Sequence, residues 1–391
     1  MLARTSPAGE SRRYFSHVIV MTEQTQETLQ PSSVEELKSI IRDANRVSFM
    51  GREEPSKILS GAEGLAPPIE TECSSTHISL SKFNRILEYQ PDEYTITVEA
   101  GAKLRDVADA LSEHGQYLPF DPPFAKEDLS IGSIIARGLS GPGACRFGIL
   151  RDFILGVTFV DGLGERIRTG GKVVKNAAGF DIPKLMCGTW GSLGAITEAS
   201  FKVFPIAPEY RTLVLPFTNF DAGHTAFISL GRSQFTLDVL DLRHDGHLYI
   251  KLGGQPGSMD NRIAALETHL DAQGETPEDA FWDPSVALSQ FPEAGSLVKV
   301  ATSPTSLPAL DAALKPNEPS RRYSIGGYVA WIHWDEQLEA LHHILSGLGL
   351  SGQVVSGPKA SAMIGNQSQA AFFTKIKSAF DPEGKFLELY S

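Results

Sequence analysis

The sequence predicts an α+β fold in two domains divided near residue 206, and three observations carry that prediction. With 391 residues the chain is too long for one small hydrophobic core. Up to Val203, short apolar and β-branched runs are separated by glycine- and serine-rich turns at 51–61, 130–141 and 170–198. Beyond Pro205 and Pro208 the pattern changes to strands alternating with amphipathic helices, as expected of one sheet covered by helices.

Bulk properties exclude several classes. A net charge of −12 leaves no basic stripe for nucleic acid. No apolar run approaches the ~20 residues of a membrane span. Cys73, Cys145 and Cys187 lie far apart with no C-x-x-C pair, which fits a reducing compartment and excludes an iron–sulfur or structural zinc site within this chain alone. A cytoplasmic protein is expected. Residues 1–30 read as a disordered leader: Arg4, Arg12 and Arg13 precede only a short apolar patch at 18–20, with no signal-peptide core or cleavage site. Met21 is a second plausible start.

The first helix is expected over 33–46, where Ser33 and Glu36 have capping-box spacing and Val34, Leu37, Ile40, Ile41 and Ala44 recur at helical period. Strands follow at 47–50, 77–80 and 94–98, the last alternating cleanly. Gly101 turns the chain into a helix bearing Leu104, Val107, Ala108 and Leu111, which stops at Gly115. Leu118-Pro119-Phe120-Asp121-Pro122-Pro123 has little regular structure, and a short helix sits between the glycines of 130–141. Residues 153–160 form an apolar strand, 161–164 a hairpin turn, 165–168 its return, and 199–203 a further strand. In the second domain strands are expected at 212–216, 236–240, 248–251, 298–301 and 325–331. Helices are expected at 259–270, 307–314, 336–348 and 371–380, the last stopped by Asp381-Pro382.

The glycine-dense stretch 170–198 could let backbone approach a flat, phosphate-bearing ligand, because glycine has no Cβ to hold it away. The familiar phosphate motifs fail, however. Gly162-Leu163-Gly164 begins a dinucleotide fingerprint, but position 167 is Ile and a hairpin follows. Gly171-Lys172 precedes Val173, not the Ser or Thr of a Walker loop. His244 and His247 lack a third nearby ligand, and His342 and His343 are adjacent on a helix and cannot share a face. His114 reads as a charge at a helix C-terminus. His333 reads as a satisfied half-buried histidine, with a catalytic role as the alternative. On these patterns alone, a cofactor wall and a loop-rich domain whose glycines only make turns remain equal.

The order of motifs separates them. Helix 33–46, Ser56-Lys57, the strand ending Glu99-Ala100-Gly101, the stretch 128–141, Arg151-Asp152-Phe153-Ile154-Leu155-Gly156 and Lys175-Asn176-Ala177-Ala178-Gly179-Phe180-Asp181 occur in sequence. Together they resemble the FAD-binding domain of the vanillyl-alcohol oxidase (PCMH-type) flavoproteins. Within that family, Gly138-Leu139-Ser140-Gly141-Pro142, Arg151-Asp152 and Lys175-Asn176 look most like the accessory FAD-binding subunits of bacterial glycolate oxidases. The resemblance implies a two-part PCMH-type FAD-binding domain over 31–206 and a smaller α+β sandwich cap domain over 207–391. It also implies FAD as cofactor. Gly51, Ser56 and Lys57 would wrap the pyrophosphate, Ser130, Gly132, Ser133 and Ala136 would line the flavin and ribityl chain, and Pro119 and Pro122 would lie beside it. Gly194 and Ile196 would close the far side. Mostly main-chain contacts explain why glycine and serine dominate.

The chain departs from the family in three places. Glu53-Glu54-Pro55 stands where the family has glycines before Ser56-Lys57. A like-charge pair at ~4 Å costs roughly 4 kcal/mol at an effective dielectric near 20, and Pro55 removes an N–H donor. No counterpart of the covalent flavin histidine exists, so FAD is expected to be held non-covalently. The family's Asn-Pro-Gly-Arg tail is replaced by Lys385-Phe386-Leu387-Glu388-Leu389-Tyr390. The cap lacks the paired metal-binding histidines of catalytic members, so no metal is expected. The resemblance therefore implies an accessory subunit that works beside a catalytic flavoprotein subunit and an iron–sulfur subunit in the oxidation of glycolate or another small 2-hydroxy acid, peripheral to the inner membrane through those partners. The alternatives are a stand-alone FAD-linked dehydrogenase and a structural subunit that has lost FAD.

Overall fold

The computed structural model describes residues 28–49, 75–123, 129–171, 180–277, 291, 295–357 and 362–390. The phosphate-loop residues Gly51, Glu53, Glu54, Pro55, Ser56 and Lys57, and Lys172 to Gly179 of the glycine-dense stretch, lie outside them.

The chain opens with a small half-domain. Helix α1 (Val34–Asp43) is capped by Ser33, whose Oγ accepts from the Glu36 N–H at 3.2 Å, while the Glu36 carboxylate accepts from the Ser32 N–H at 2.7 Å. The reciprocal arm of the expected capping box thus reaches one residue further back. Strands β1 (Val47–Phe49) and β2 (Thr76–Ile78) pair in parallel beside it.

The second half is a five-stranded antiparallel sheet. Its elements are β3 (Ile86–Gln90), β4 (Thr95–Glu99), α2 (Leu104–Ser112), β5 (Gln116–Tyr117), α3 (Ile131–Arg137), α4 (Ala144–Phe147), α5 (Leu150–Phe153), β6 (Ile154–Val160), β7 (Arg166–Gly170), α6 (Ile182–Met186), β8 (Ala195–Lys202) and β9 (Phe204–Pro205), with strand order β3-β4-β8-β6-β7. Alternation puts Ile96, Val98, Val157, Phe159, Ala199 and Phe201 into one core with α2 and α3. Leu37, Ile41, Val47 and Ile78 of the first half meet Val160 and Ala195 of the second in a separate cluster, which Phe386 completes from the chain's end. Strand β3 went unanticipated because it is an exposed edge without an alternating pattern.

Residues beyond 206 build an eight-stranded antiparallel sheet. In chain order it comprises β10 (Glu209–Leu215), α7 (Phe220–Gly231), β11 (Val239–Arg243), β12 (Leu248–Gly254), α8 (Met259–Leu270), β13 (Ser296–Ala301), α9 (Leu307–Leu314), β14 (Arg321–Ser324), β15 (Val329–Trp334), α10 (Leu338–Gly347), β16 (Ser351–Ser356) and β17 (Met363–Gly365). The strand order is β10-β12-β11-β14-β15-β13-β16-β17. On β15, Ala330, Ile332 and Trp334 join the core under the helices, whereas Trp331 joins the core of the first domain. The sheet's inner face therefore seats directly on the preceding domain. Helix α11 (Ala370–Phe380) then carries the chain back to the five-stranded sheet.

One expected strand is corrected. Residues 325–331 do not form a single strand: Ile325–Gly327 is a turn of 3-10 helix with φ of 54°, 61° and 90°, and β15 begins at Val329. Left-handed residues cannot continue a ladder. The Asp241 carboxylate holds the turn by accepting the Ile325 N–H at 3.2 Å. Helix α7 was not anticipated either, since glycines at 223 and 231 blur its period.

Candidate FAD site

The candidate site is the seam between the two halves, and the turn after β4 is its hub. A Cβ on Gly101 would lie 2.1 Å from the Leu80 carbonyl oxygen, so only glycine lets the loop following β2 press onto this turn. The start of α3 lies against the same turn. The Ile131 N–H donates to the Ala102 carbonyl at 2.9 Å and the Gly132 N–H to the Ala100 carbonyl at 2.6 Å, while Ala100 donates to Thr197 of β8 at 2.9 Å. Ser130 caps the helix: its Oγ accepts from the Ser133 N–H at 3.2 Å and donates to the Ser133 Oγ at 3.0 Å. Ser130, Gly132 and Ser133 are thus tied to β4 and β8, and all three are partly exposed.

The loop 187–194 runs back along the other end of α3. Gly188 donates to the Ile135 carbonyl at 2.9 Å and Trp190 to the Ala136 carbonyl at 2.8 Å. Gly138 and Gly188 approach so closely that a Cβ on Gly138 would sit 3.2 Å from the Gly188 Cα, yet nothing lies within 4 Å of where a Gly188 side chain would project. Gly191 abuts the Phe49 ring of β1. Trp190 holds φ of 55°, a conformation bulky residues adopt only under constraint. The Arg137 guanidinium lies 5.3 Å from its ring centroid, and burial pushes that guanidinium down to about 10.

Pro119 and Pro122 are buried in a run stapled to the segment after α3. Gly141 donates to the Phe120 carbonyl at 3.0 Å and Gly143 to the Asp121 carboxylate at 3.0 Å. Gly194 immediately precedes β8 with φ of 154°, and a Cβ there would lie 2.7 Å from the Phe159 ring. Packing against β6 is thus sufficient reason for that glycine. The Ile196 side chain enters the core opposite Phe159, leaving its backbone alone to offer.

Two side chains of the eight-stranded sheet reach the C-terminal end of α3. Lys299 Nζ on β13 donates to the Gly138 carbonyl at 2.8 Å, and Gln353 Nε2 on β16 to the Arg137 carbonyl at 3.0 Å. Both meet carbonyls at the α3 C-terminus, where a helix carries partial negative charge. Burial pushes Lys299 down to about 8, and the Cys187 thiol beneath it up to about 12. Between pH 8 and the usual 10.5, the unfolded chain keeps a proton on Lys299 that the folded chain has released, so this residue's contribution to stability rises with pH. From pH 7 to pH ~9.5 the denaturant midpoint of the wild type should therefore rise more, or fall less, than that of Lys299→Met.

The seam fits a polar ligand. Among the described residues, His77 Nδ1 on β2 and Trp190 Nε1 are both buried with no hydrogen-bond partner, although buried polar groups are nearly always satisfied. One orphan comes from each half of the domain. A cofactor lying along the seam would supply partners to both, over a glycine backbone open at Gly188. Neither residue was singled out from sequence, although an aromatic flanked by Gly188 and Gly191 was a visible signal. Three of the other histidines have local partners. His114 lies edge-on to Tyr89, His244 approaches the Arg321 carbonyl, and His333 stacks beside Phe291. Among the described residues no group of three metal-ligating side chains occurs.

Comparison with known proteins gives this geometry its class. Residues 25–170 match the family described as FAD binding domain. The chain is 30% identical over 307 residues to glycolate oxidase subunit GlcE of Escherichia coli K12, covering 77% of this chain and 83% of that protein. It is 31% identical to D-2-hydroxyglutarate dehydrogenase of Xanthomonas citri, but over only 55% of this chain and 44% of the relative, and 36% identical to glycolate oxidase subunit GlcD of Bacillus subtilis over 40% and 34%. Among solved structures, an alkyldihydroxyacetonephosphate synthase superposes with a TM-score of 0.65 at 16% identity, over 91% of this chain and 74% of that one; it speaks for the fold. The protein is an FAD-linked oxidoreductase of the PCMH type, with FAD as its cofactor. Within that class, the chain belongs to the GlcE family of glycolate oxidase subunits.

Proposed function

We propose that the protein is the FAD-holding subunit of a glycolate oxidase-like complex that oxidises glycolate or a related small 2-hydroxy acid. The reach of the likeness supports this reading: similarity to GlcE extends over 83% of that protein, whereas the dehydrogenase match spans 44% of its relative. The partners would be a catalytic flavoprotein subunit and an iron–sulfur subunit. No described helix is long and apolar enough to cross a membrane.

When bound, FAD supplies the two-electron redox chemistry, and the chain supplies position and electrostatics. In this assignment residues 31–206 form the FAD-binding unit and 207–391 the cap. Trp190 Nε1 donates to the cofactor, and His77 Nδ1 supplies a polar contact from the opposite wall. Ser130, Gly132, Ser133 and Ala136 line the α3 side, with Pro119 and Pro122 beside them. Gly194 and Ile196 contribute backbone at the far side, and the residues assigned to the pyrophosphate by resemblance, Gly51, Ser56 and Lys57, lie outside the described residues.

Glu53 and Glu54 would weaken that grip by repulsion. Replacing both by Gly is expected to tighten FAD binding on the order of tenfold; unchanged affinity in a fluorescence titration would refute the repulsion argument. The complex is tested by glycolate-dependent dye reduction. The chain alone should turn over slowly, and adding the two partner subunits should restore activity. Robust turnover by the isolated chain would make it a stand-alone dehydrogenase.

A further inference from the structure

The last residues of the described chain are tied into both walls of the FAD seam by buried charges. Lys385 Nζ donates to the Ile41 and Arg42 carbonyls at the end of α1, at 3.0 and 2.9 Å, and its own carbonyl accepts the Val47 N–H at 2.8 Å. Phe386 lies 5.7 Å from the Phe49 ring of β1. Those contacts hold the first half. Lys377 Nζ donates to the Ser192 carbonyl, at 3.2 Å, in the loop that places Trp190 and Gly194. Phe380 accepts the Gly162 N–H at 2.8 Å and packs on Phe159 of β6. Those contacts hold the second half.

Asp381 joins the two sets. Its carboxylate accepts from Lys377 Nζ at 2.6 Å and from the Lys385 and Phe386 N–H groups at 2.9 Å each. A Cβ on Gly162 would fall 2.4 Å from it, so the β6–β7 turn is shaped around this carboxylate. Lys377, Asp381 and Lys385 are 3%, 3% and 6% exposed. Apolar side chains would serve stability as well or better at such positions, whereas a buried ion pair fixes one geometry. The geometry to be fixed here is the separation of the seam's walls.

We propose that Lys377, Asp381 and Lys385 form a C-terminal clasp that sets how tightly the chain holds FAD, as positioning residues acting through the 187–194 loop and the α1–β1 junction. The inference rests on FAD occupying the seam. Coupling of this kind is reciprocal: if the clasp favours FAD, FAD must favour the clasp.

The test is hydrogen exchange on the full-length protein with and without saturating FAD. Amides of 377–387 should slow on the order of tenfold with FAD, while those of α8 and α9, whose apolar residues pack in the core of the eight-stranded sheet, should not change. Equal rates at 377–387 in the two states would overturn the clasp. As a second arm, Lys385→Met should raise the FAD Kd on the order of tenfold, with an unchanged cap melting transition, and Lys385→Arg should recover part of the loss. Wild-type affinity in Lys385→Met would also overturn it, and if that variant does not fold, the exchange experiment decides. A wild-type chain that takes up no FAD would overturn the cofactor assignment and the clasp with it. FAD binding without any response at 377–387 would overturn the clasp alone.

Discussion

Replacing Asp241 by alanine is expected to lower the melting temperature of the cap by roughly 10 °C. Asp241 is fully buried on β11 and accepts from Arg322 Nε at 2.6 Å, from Ser324 Oγ at 2.9 Å and from the Ile325 N–H at 3.2 Å. The substitution strips a buried guanidinium of the carboxylate facing it, a change that typically costs about 3–5 kcal/mol. It also removes the acceptor that holds Ile325 at φ of 54°, where a β-branched residue is strained. Both effects act on the β14–β15 connection at the cap's inner face. A calorimetric melt reads the result, and a shift below ~2 °C would mean that the pair contributes little net stability.

Gly141→Ala is expected to lose most FAD while costing about 1–3 kcal/mol of stability. A Cβ at this position would lie 2.1 Å from the Asp121 carbonyl oxygen. Backbone cannot yield there as a side-chain tip would, so the run carrying Pro119 and Pro122 must move away from the segment that follows α3. Asp121, at φ of 47°, has little freedom to absorb the shift. If those prolines lie beside the flavin, FAD per purified chain should fall on the order of tenfold or more. Full occupancy in a folded Gly141→Ala protein would place the cofactor away from this run.

Much of the fold was legible because local chemistry agrees with tertiary structure. Helix α1 announced itself by Ser33, Glu36 and its apolar face, α8 and α9 fall on the expected residues, and the Pro205–Pro208 change in pattern falls between the two sheets. Failures arose where tertiary contacts override local pattern. Ile325 belongs to a β-branched run that reads as strand, yet a carboxylate 84 residues away holds it in a left-handed turn. Trp190 and His77 carry no motif spacing, and their unsatisfied nitrogens become visible only once both halves are folded. The resemblance makes Gly194 a backbone contact to the cofactor, and the ring of Phe159 gives a separate, packing reason for its missing side chain. The cap's Lys299 and Gln353 were illegible because their partners are the carbonyls of Gly138 and Arg137, and a backbone acceptor leaves no trace in sequence.

The visible absorption spectrum of the purified full-length protein tests the central claim most directly. Oxidised-flavin bands, with FAD released on heat denaturation near one per chain, are the predicted result. A colourless protein that takes up no FAD on titration would contradict it.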